Sequence, residues 1–401
     1  MLTEKQKETI LATVPVLREN GVVLTKHFYK RMFNNHPELK NIFNLGNQSN
    51  GKQQTALAMA VLAYAENIAN PGILMPVIDL IGHKHTSLNI QPEQYSIVGE
   101  NLIGAIKEVL QELATNDVVE AWTIAYKQLS DLMIGYEACL YNKKATQENG
   151  WTGWKSFVIR KKVEESKEVT SFYLYPEDGG GVPLHLPGQY LSVRAFLPEL
   201  GLLQPRQYSI SCAPNGEFYR ISVKKESGMA LKPDGMISNR LHEMQEGERI
   251  EVTSPSGNFI LKESANNKVF ISGGIGQTPL MAMLESLISK YEMGNSLLWI
   301  HGCRSSDVHA FSEAIVKAEA NNKNISSCFF YEDVTYIPDG YYKGRVDLSK
   351  INQWQPDTNA EYYICGPAAF IKTHYDYLKN CNVPADNIFF EEFGPQALQL
   401  N

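Results

Sequence analysis

Val269-Phe270-Ile271-Ser272-Gly273-Gly274-Ile275-Gly276-Gln277-Thr278-Pro279 is the stretch on which the reading of this chain turns. Val269 to Ser272 is short, apolar and bounded by glycine, as a buried strand is. Pro279 suits the first position of a helix. A strand, a glycine turn and a helix in that order bring backbone N–H groups where a pyrophosphate can approach them. The spacing is GxGxxP rather than GxGxxG, so the stretch alone reads equally well as a turn that only packs a strand on a helix. The residues after it shift that balance. Ser296-Leu-Leu-Trp-Ile300, Ser327-Cys-Phe-Phe-Tyr331 and Glu361-Tyr-Tyr-Ile-Cys365 repeat the strand pattern between helical stretches. Such βαβ text predicts a parallel sheet with ligands at the carboxyl ends of its strands.

Upstream the pattern changes. Ser156-Phe-Val-Ile-Arg160, Val169-Thr-Ser-Phe-Tyr-Leu174, Gln189-Tyr-Leu-Ser-Val193, Tyr208-Ser-Ile-Ser211 and Tyr219-Arg-Ile-Ser-Val223 are closely spaced strands with Gly, Pro and Asn turns between them. They predict a small antiparallel β-barrel. From Thr3 to about Tyr141 apolar residues recur at helical spacing instead, as in Leu57, Val61, Tyr64 and Ile68. Thr3 and Gln6 form a possible capping box, and Pro37, Pro71, Pro76 and Pro92 mark helix starts and stops. The expected fold is multidomain: an all-α domain over 1–141, a linker over 142–150, an antiparallel barrel over 151–264 and an α/β parallel-sheet domain over 265–401.

The 401 residues carry 37 Lys plus Arg against 44 Asp plus Glu, a formal charge of −7 with no basic cluster. That argues against a nucleic-acid or anionic-lipid partner. The longest apolar run, Ala56 to Ala65, is too short to span a bilayer, and the first residues lack the apolar core of an export signal. Six cysteines are scattered without a CxxC pair, as expected of reduced thiols in a cytoplasmic protein. No protein partner is implied.

Four motifs in order carry the chemistry of the C-terminal two thirds. Arg206-Gln207-Tyr208-Ser209 opens a barrel strand after Pro205 and offers a cation, a flat ring and a hydroxyl. Gly274-Ile275-Gly276-Gln277-Thr278-Pro279 is the glycine turn. Cys365-Gly366-Pro367 stands at a late strand end, and Glu391-Glu392-Phe393-Gly394-Pro395 lies near the chain's close. Together they resemble the ferredoxin–NADP⁺ reductase superfamily over residues 151–401. The resemblance implies that Tyr190, Arg206, Gln207, Tyr208 and Ser209 bind FAD. It implies that Ile237, Ser238 and Asn239 help to hold the FAD pyrophosphate. Gly274 to Pro279 and Cys365 to Pro367 would hold the nicotinamide nucleotide, and Phe393 would cover the isoalloxazine.

In the helical segment Leu74, Ile78, Ile81, His85 and Leu88 form one stripe at 4-3-4-3 spacing. His83 points about 200° away from it. A neutral imidazole on a buried helix face can ligate a haem iron, although a lone histidine is more often a satisfied core residue. The neighbouring text decides. His27 to Phe33, Pro37 to Phe43, Gln53 with Leu57, and Lys84-His-Thr-Ser87 resemble the flavohaemoglobins, and so does the whole chain.

The resemblance implies that His85 is the metal ligand of haem b, with Phe43 and Leu57 in the haem pocket. It gives Tyr29 and Gln53 the distal side, where a phenol and an amide donate to bound dioxygen. Tyr95 and Glu137 would form the proximal network that makes His85 a stronger donor. Lys84 and Glu391 would tune the haem and flavin potentials. The family activity so implied is nitric oxide dioxygenase: NAD(P)H to FAD to haem, with dioxygen and nitric oxide giving nitrate. The alternatives are an oxygen-binding or sensing globin with an attached reductase, and a flavin reductase of broad acceptor range. Glu332 and Asp333 follow the third strand of the nucleotide domain, where a phosphate would be repelled. The expectation is therefore NADH over NADPH, with Arg304 as the residue that would reverse it.

Overall fold

Thr3 Oγ1 accepts from the backbone N–H of Gln6 at 3.2 Å while Gln6 Oε1 accepts from that of Thr3 at 3.0 Å. This reciprocal cap, worth ~1 kcal/mol, starts helix α1, Glu4–Asn35. The computed structural model describes residues 2–228, 235–289, 294–334, 341–352 and 354–394. By contacts the chain falls into two units, one of Met1–Trp154 with Arg194–Arg206, the other of Lys155–Val193 with Gln207–Gly394.

The first unit is helical as expected. After α1 come α2 (Leu45–Ser49), α3 (Lys52–Glu66), α4 (Met75–Ser87), α5 (Pro92–Leu110) and α6 (Asn116–Thr146). Ile10, Thr13, Leu17, Gly21, Leu24, Phe28 and Met32 are the buried face of α1, at three- and four-residue spacing. Gly21 brings α1 against α3, since a Cβ there would lie 3.4 Å from Ala58 Cβ. Pro76 and Pro92 stand in the first turns of α4 and α5. Helix α6 corrects one expectation, because it continues to Thr146, five residues into the segment read as a linker. The linker reading rested on polarity. Lys144 is nevertheless buried there, with Nζ donating to Thr86 Oγ1 at 3.2 Å.

The antiparallel sheet orders its six strands β4-β3-β6-β1-β2-β5. These are β1 (Trp154–Ser166), β2 (Val169–Pro176), β3 (Tyr190–Leu197), β4 (Leu202–Ser209), β5 (Tyr219–Lys224) and β6 (Arg249–Thr253), with α7 (Met236–Glu243) before β6. Arg206 to Ser209 closes β4 rather than opening a strand. Pro205 lies inside the strand and does not precede it. Here β4 is an edge strand, where a missing N–H costs nothing.

The parallel sheet runs β10-β9-β8-β7-β11-β12. Its elements are β7 (Lys268–Gly273), α8 (Gln277–Ser289), β8 (Leu297–Cys303), α9 (Ser312–Asn321), β9 (Ile325–Tyr331), β10 (Tyr341–Lys343), β11 (Glu361–Gly366), α10 (Ala368–Asn380) and β12 (Ile388–Glu392). Alternation along β7 builds two cores. Phe270 joins Trp299, Phe329 and Tyr363 under α8 and α9, while Val269 and Ile271 join Ile300, Tyr362 and Ile364 under α10. Strand order reverses between β7 and β11, and that switch point places a ligand crevice at their carboxyl ends. Among the described residues no helix is long and apolar enough to cross a membrane.

Candidate functional site

Helix α4 carries His85 and helix α6 carries Glu137. Glu137 Oε1 lies 2.7 Å from His85 Nδ1, and the Tyr95 hydroxyl, from α5, lies 2.9 Å from the same nitrogen and donates to Glu137 at 2.5 Å. Glu137 is only 4% exposed in its side chain whereas His85 keeps 33%. A carboxylate at Nδ1 fixes the proton there, so the lone pair stands on Nε2, the nitrogen that Glu137 and Tyr95 do not face. Burial, then the hydrogen bond to Glu137, holds the Tyr95 phenol far above its ordinary value, so it stays a donor. This donor set fits a haem iron. His83, two residues away, faces Asp79 at 3.4 Å, as the helical stripe predicts.

The second helical group is built from α1, the short helix α2 and the first turn of α3. Tyr29 is buried, and its ring packs on Phe28, Phe33 and Phe43 with centroids 4.9, 5.9 and 5.8 Å away. Its hydroxyl is within hydrogen-bond reach of Gln53, and also of Gln48, which the sequence reading did not single out. Burial pushes the phenol well up, against the pull of the two amides, so the hydroxyl keeps its proton. Gln48 Nε2 donates to Gln53 Oε1 at 3.0 Å. Phe43 and Leu57 stay half-buried against the helical core, which leaves apolar surface for a flat ring. Lys84 lies on α4 beside His85, half-buried.

In the antiparallel sheet Ile210 N donates to Gln189 O at 2.9 Å, and this bond sets Tyr208 and Ser209 beside Tyr190. The Tyr190 ring lies against Gly257, where a Cβ would come within 2.8 Å of it. Arg206 donates to Pro205 O at 2.7 Å. At the start of α7 the Ser238 hydroxyl donates to Gly235 O at 3.0 Å. The Asn239 amide donates to Glu226 O at 2.9 Å and Gly235 O at 2.8 Å. Those side chains brace the turn, with Ile237 buried beneath it. What the turn offers an anion is therefore the backbone N–H groups of the first helical turn.

At the crevice of the parallel sheet Gly274 to Gly276 form a single 3₁₀ turn and α8 begins at Gln277, which puts Pro279 third in the helix rather than first. Gly276 is needed because a Cβ would lie 2.2 Å from Cys365 O. Thr278 Oγ1 ties back to Ile275 O at 3.1 Å. Gly366 ends β11, and Pro367 precedes α10. Cys365 pairs in register with Glu391 and Gly366 with Glu392. Burial, and then the charge of Glu391, keeps the Cys365 thiol protonated. Gln277 Oε1 and Glu392 Oε2 are buried without a hydrogen-bond partner, as expected where a polar ligand completes the site. Phe393 is 40% exposed beside Gly394, and Pro395 lies outside the described residues.

Two features had no signal in the sequence. Gln48 sits in the five-residue helix α2, an Asn- and Gln-rich stretch too short to show a period. Glu168, in the turn between β1 and β2, ion-pairs with Arg304. Backbone bonds place Glu332 and Asp333 alongside that arginine, with Glu332 N donating to Cys303 O at 3.2 Å and Asp333 N to Arg304 O at 2.7 Å.

A helical unit with a His–Glu–Tyr triad, joined to a sheet pair of reductase type, defines an oxidoreductase that carries its own electron supply. The Globin family matches residues 26–133 and the Oxidoreductase NAD-binding domain matches residues 270–375. The flavohemoprotein of Bordetella bronchiseptica is 46% identical over 98% of this chain and 99% of its own length. The flavohemoglobin of Malassezia yamatoensis, solved with bound FAD and heme, is 28% identical over 98% of this chain and 100% of its own, with a TM-score of 0.86. The FAD/NAD-binding domain of nitric oxide dioxygenase from Vibrio cholerae is 32% identical over 60% of this chain and 99% of its own, with a TM-score of 0.56. This chain belongs to the flavohemoprotein family.

Proposed function

We propose that this chain is an NAD(P)H-dependent nitric oxide dioxygenase that converts nitric oxide and dioxygen to nitrate. Bound haem, FAD and NAD(P)H supply the redox chemistry, passing hydride to flavin, single electrons to iron and activating dioxygen towards nitric oxide. The observation that carries the reading is the His85–Glu137–Tyr95 triad in the same helical unit as the Tyr29–Gln53 pair. Electron counting agrees with an attached reductase. Nitric oxide gives up three electrons on becoming nitrate and dioxygen takes four, so each turnover draws one from the nucleotide.

His85 holds the iron through Nε2. Glu137 keeps the Nδ1 proton hydrogen-bonded and raises the basicity of the ring, and Tyr95 orients that carboxylate. Tyr29 and Gln53 present donors where negative charge grows on dioxygen, and water is excluded by the Phe28, Phe33 and Phe43 rings around the phenol. Phe43 and Leu57 cover the porphyrin. Tyr190 and Arg206 to Ser209 hold the flavin, and the α7 turn holds its pyrophosphate. Gly274 to Pro279 and Cys365 to Pro367 cradle the nucleotide, and Gln277 and Glu392 offer it their unmatched oxygens. Lys84 and Glu391 set local charge near the two redox groups. The haem-binding part extends to Thr146, the FAD part covers 151–264 and the nucleotide part begins at 265. The enzyme acts on small molecules in the cytoplasm. Oxygen carriage and broad flavin reduction are not favoured, since neither needs both halves of this parts list.

The test is a single turnover. Holoprotein carrying ferrous haem and oxidised flavin, mixed with dioxygen and then with nitric oxide, is expected to yield ferric haem and one nitrate per haem within the mixing time. An oxygenated spectrum that persists through the nitric oxide pulse contradicts the reading.

A further inference from the structure

Gln54 is buried at the start of α3, and its Nε2 donates to the backbone carbonyl of Gln48 at 3.0 Å and to Gln48 Oε1 at 2.8 Å. A backbone carbonyl only accepts. That fixes which end of the Gln54 amide is the nitrogen, and the polarity then passes along the row. Gln48 Oε1 is the acceptor for Gln54, so Gln48 Nε2 is turned to Gln53 Oε1, 3.0 Å away. Gln53 Oε1 is thereby occupied, and Gln53 Nε2 is left as the donor. Both Gln48 and Gln53 lie within reach of the Tyr29 hydroxyl. Both amides pull the phenol down against its burial, as N–H groups donating to its oxygen do, so the phenol oxygen accepts and its own O–H is left to donate.

We propose that Gln48 is a positioning residue for the distal side: it holds the Gln53 amide and the Tyr29 hydroxyl so that both offer hydrogens to a ligand on the haem. The inference rests on the haem-binding reading above. It gives the short helix α2 a role beyond chain reversal. Asn44 already caps α2 through its own side chain, accepting from Asn47 N at 3.1 Å, and the Gln48 amide is not needed for that. Thr25 Oγ1 anchors the far end of the row by donating to Gln54 O at 2.9 Å.

Gln48→Met keeps the length of the side chain and removes its hydrogen bonds. In the holoprotein it is expected to raise dioxygen release by roughly five- to tenfold, the worth of one ordinary hydrogen bond. The C–O stretch of the carbon monoxide form should move to higher frequency, with haem content unchanged. Gln54→Met, which acts only through Gln48, should move both in the same direction by less, and it serves as the readout if Gln48→Met fails to retain haem. A merely structural role would lower the melting temperature and leave the C–O stretch in place. Wild-type values for both observables in Gln48→Met, or in Gln54→Met if that is the variant that holds haem, overturn the inference, provided Tyr29→Phe shifts them. If Tyr29→Phe also shifts nothing, the distal assignment itself fails.

Discussion

Glu137 accepts from His85 Nδ1 at 2.7 Å while staying 3% exposed, a buried carboxylate spent on orienting one imidazole. Removing the charge and keeping the shape isolates its effect. Glu137→Gln should lower the iron–histidine stretching frequency in resonance Raman spectra of the ferrous protein and reduce turnover by about tenfold, the lower end of what such outer partners contribute. An unchanged stretch would show that the carboxylate does not act through the imidazole.

Iron ligation follows from which histidine the triad selects. His85→Ala should lose stable haem, whereas His83→Ala, which removes a ring paired with Asp79 at 3.4 Å, should keep it. The haem-to-protein absorbance ratio of the two purified variants checks this, and equal ratios would exclude the assignment.

Tyr29→Phe removes one hydroxyl from an otherwise intact aromatic cluster. Ligand stabilisation should fall by about 1–3 kcal/mol, the cost of an unmade buried hydrogen bond. Stopped-flow dioxygen release reads the change directly.

Much of this was legible in the sequence. The α4 stripe separates His85 from His83, and the strand–glycine–helix text of 269–279 places the crevice where the sheet order later reverses. Long periodic elements announce themselves because packing repeats every 3.6 or 2 residues. Gln48 sits in a helix of five residues and Glu168 in a turn, both too short to show a period, and the partner lies across a helix break or in another part of the fold. Lys144 was hidden for the opposite reason: a polar residue in a polar run gives no sign that its helix continues and buries it.

Nucleotide choice turns on Arg304. It is paired with Glu168 and flanked by Glu332 and Asp333, so it is poorly placed to receive a 2′-phosphate, and NADH should be the better donor. Glu168→Ala frees the arginine. Because its side chain is 59% exposed, screening limits the gain, and kcat/KM for NADPH should rise by roughly fivefold or less at low salt and fall back as salt is added. A wild-type preference for NADPH would contradict this account of Arg304.

Burial lowers the Lys144 ammonium from its ordinary value to about 7. Between pH 7 and the ordinary lysine range the unfolded chain binds more protons than the folded one, so this group makes stability rise with pH across that window. Below pH 7 the folded protein bears the cost of a buried charge. Lys144→Met should therefore raise the melting temperature most near pH 6, with a gain that shrinks towards pH 10, as thermal denaturation at the two pH values will show.

The central claim is that one chain couples nucleotide oxidation to the conversion of nitric oxide into nitrate. The most direct test is the steady-state stoichiometry of the purified holoprotein in air-saturated buffer, with NADH, nitric oxide and nitrate followed together. Electron balance predicts one NADH consumed for every two molecules of nitric oxide, with one nitrate formed from each. NADH oxidation that runs at the same rate without nitric oxide and yields peroxide in place of nitrate would contradict the account.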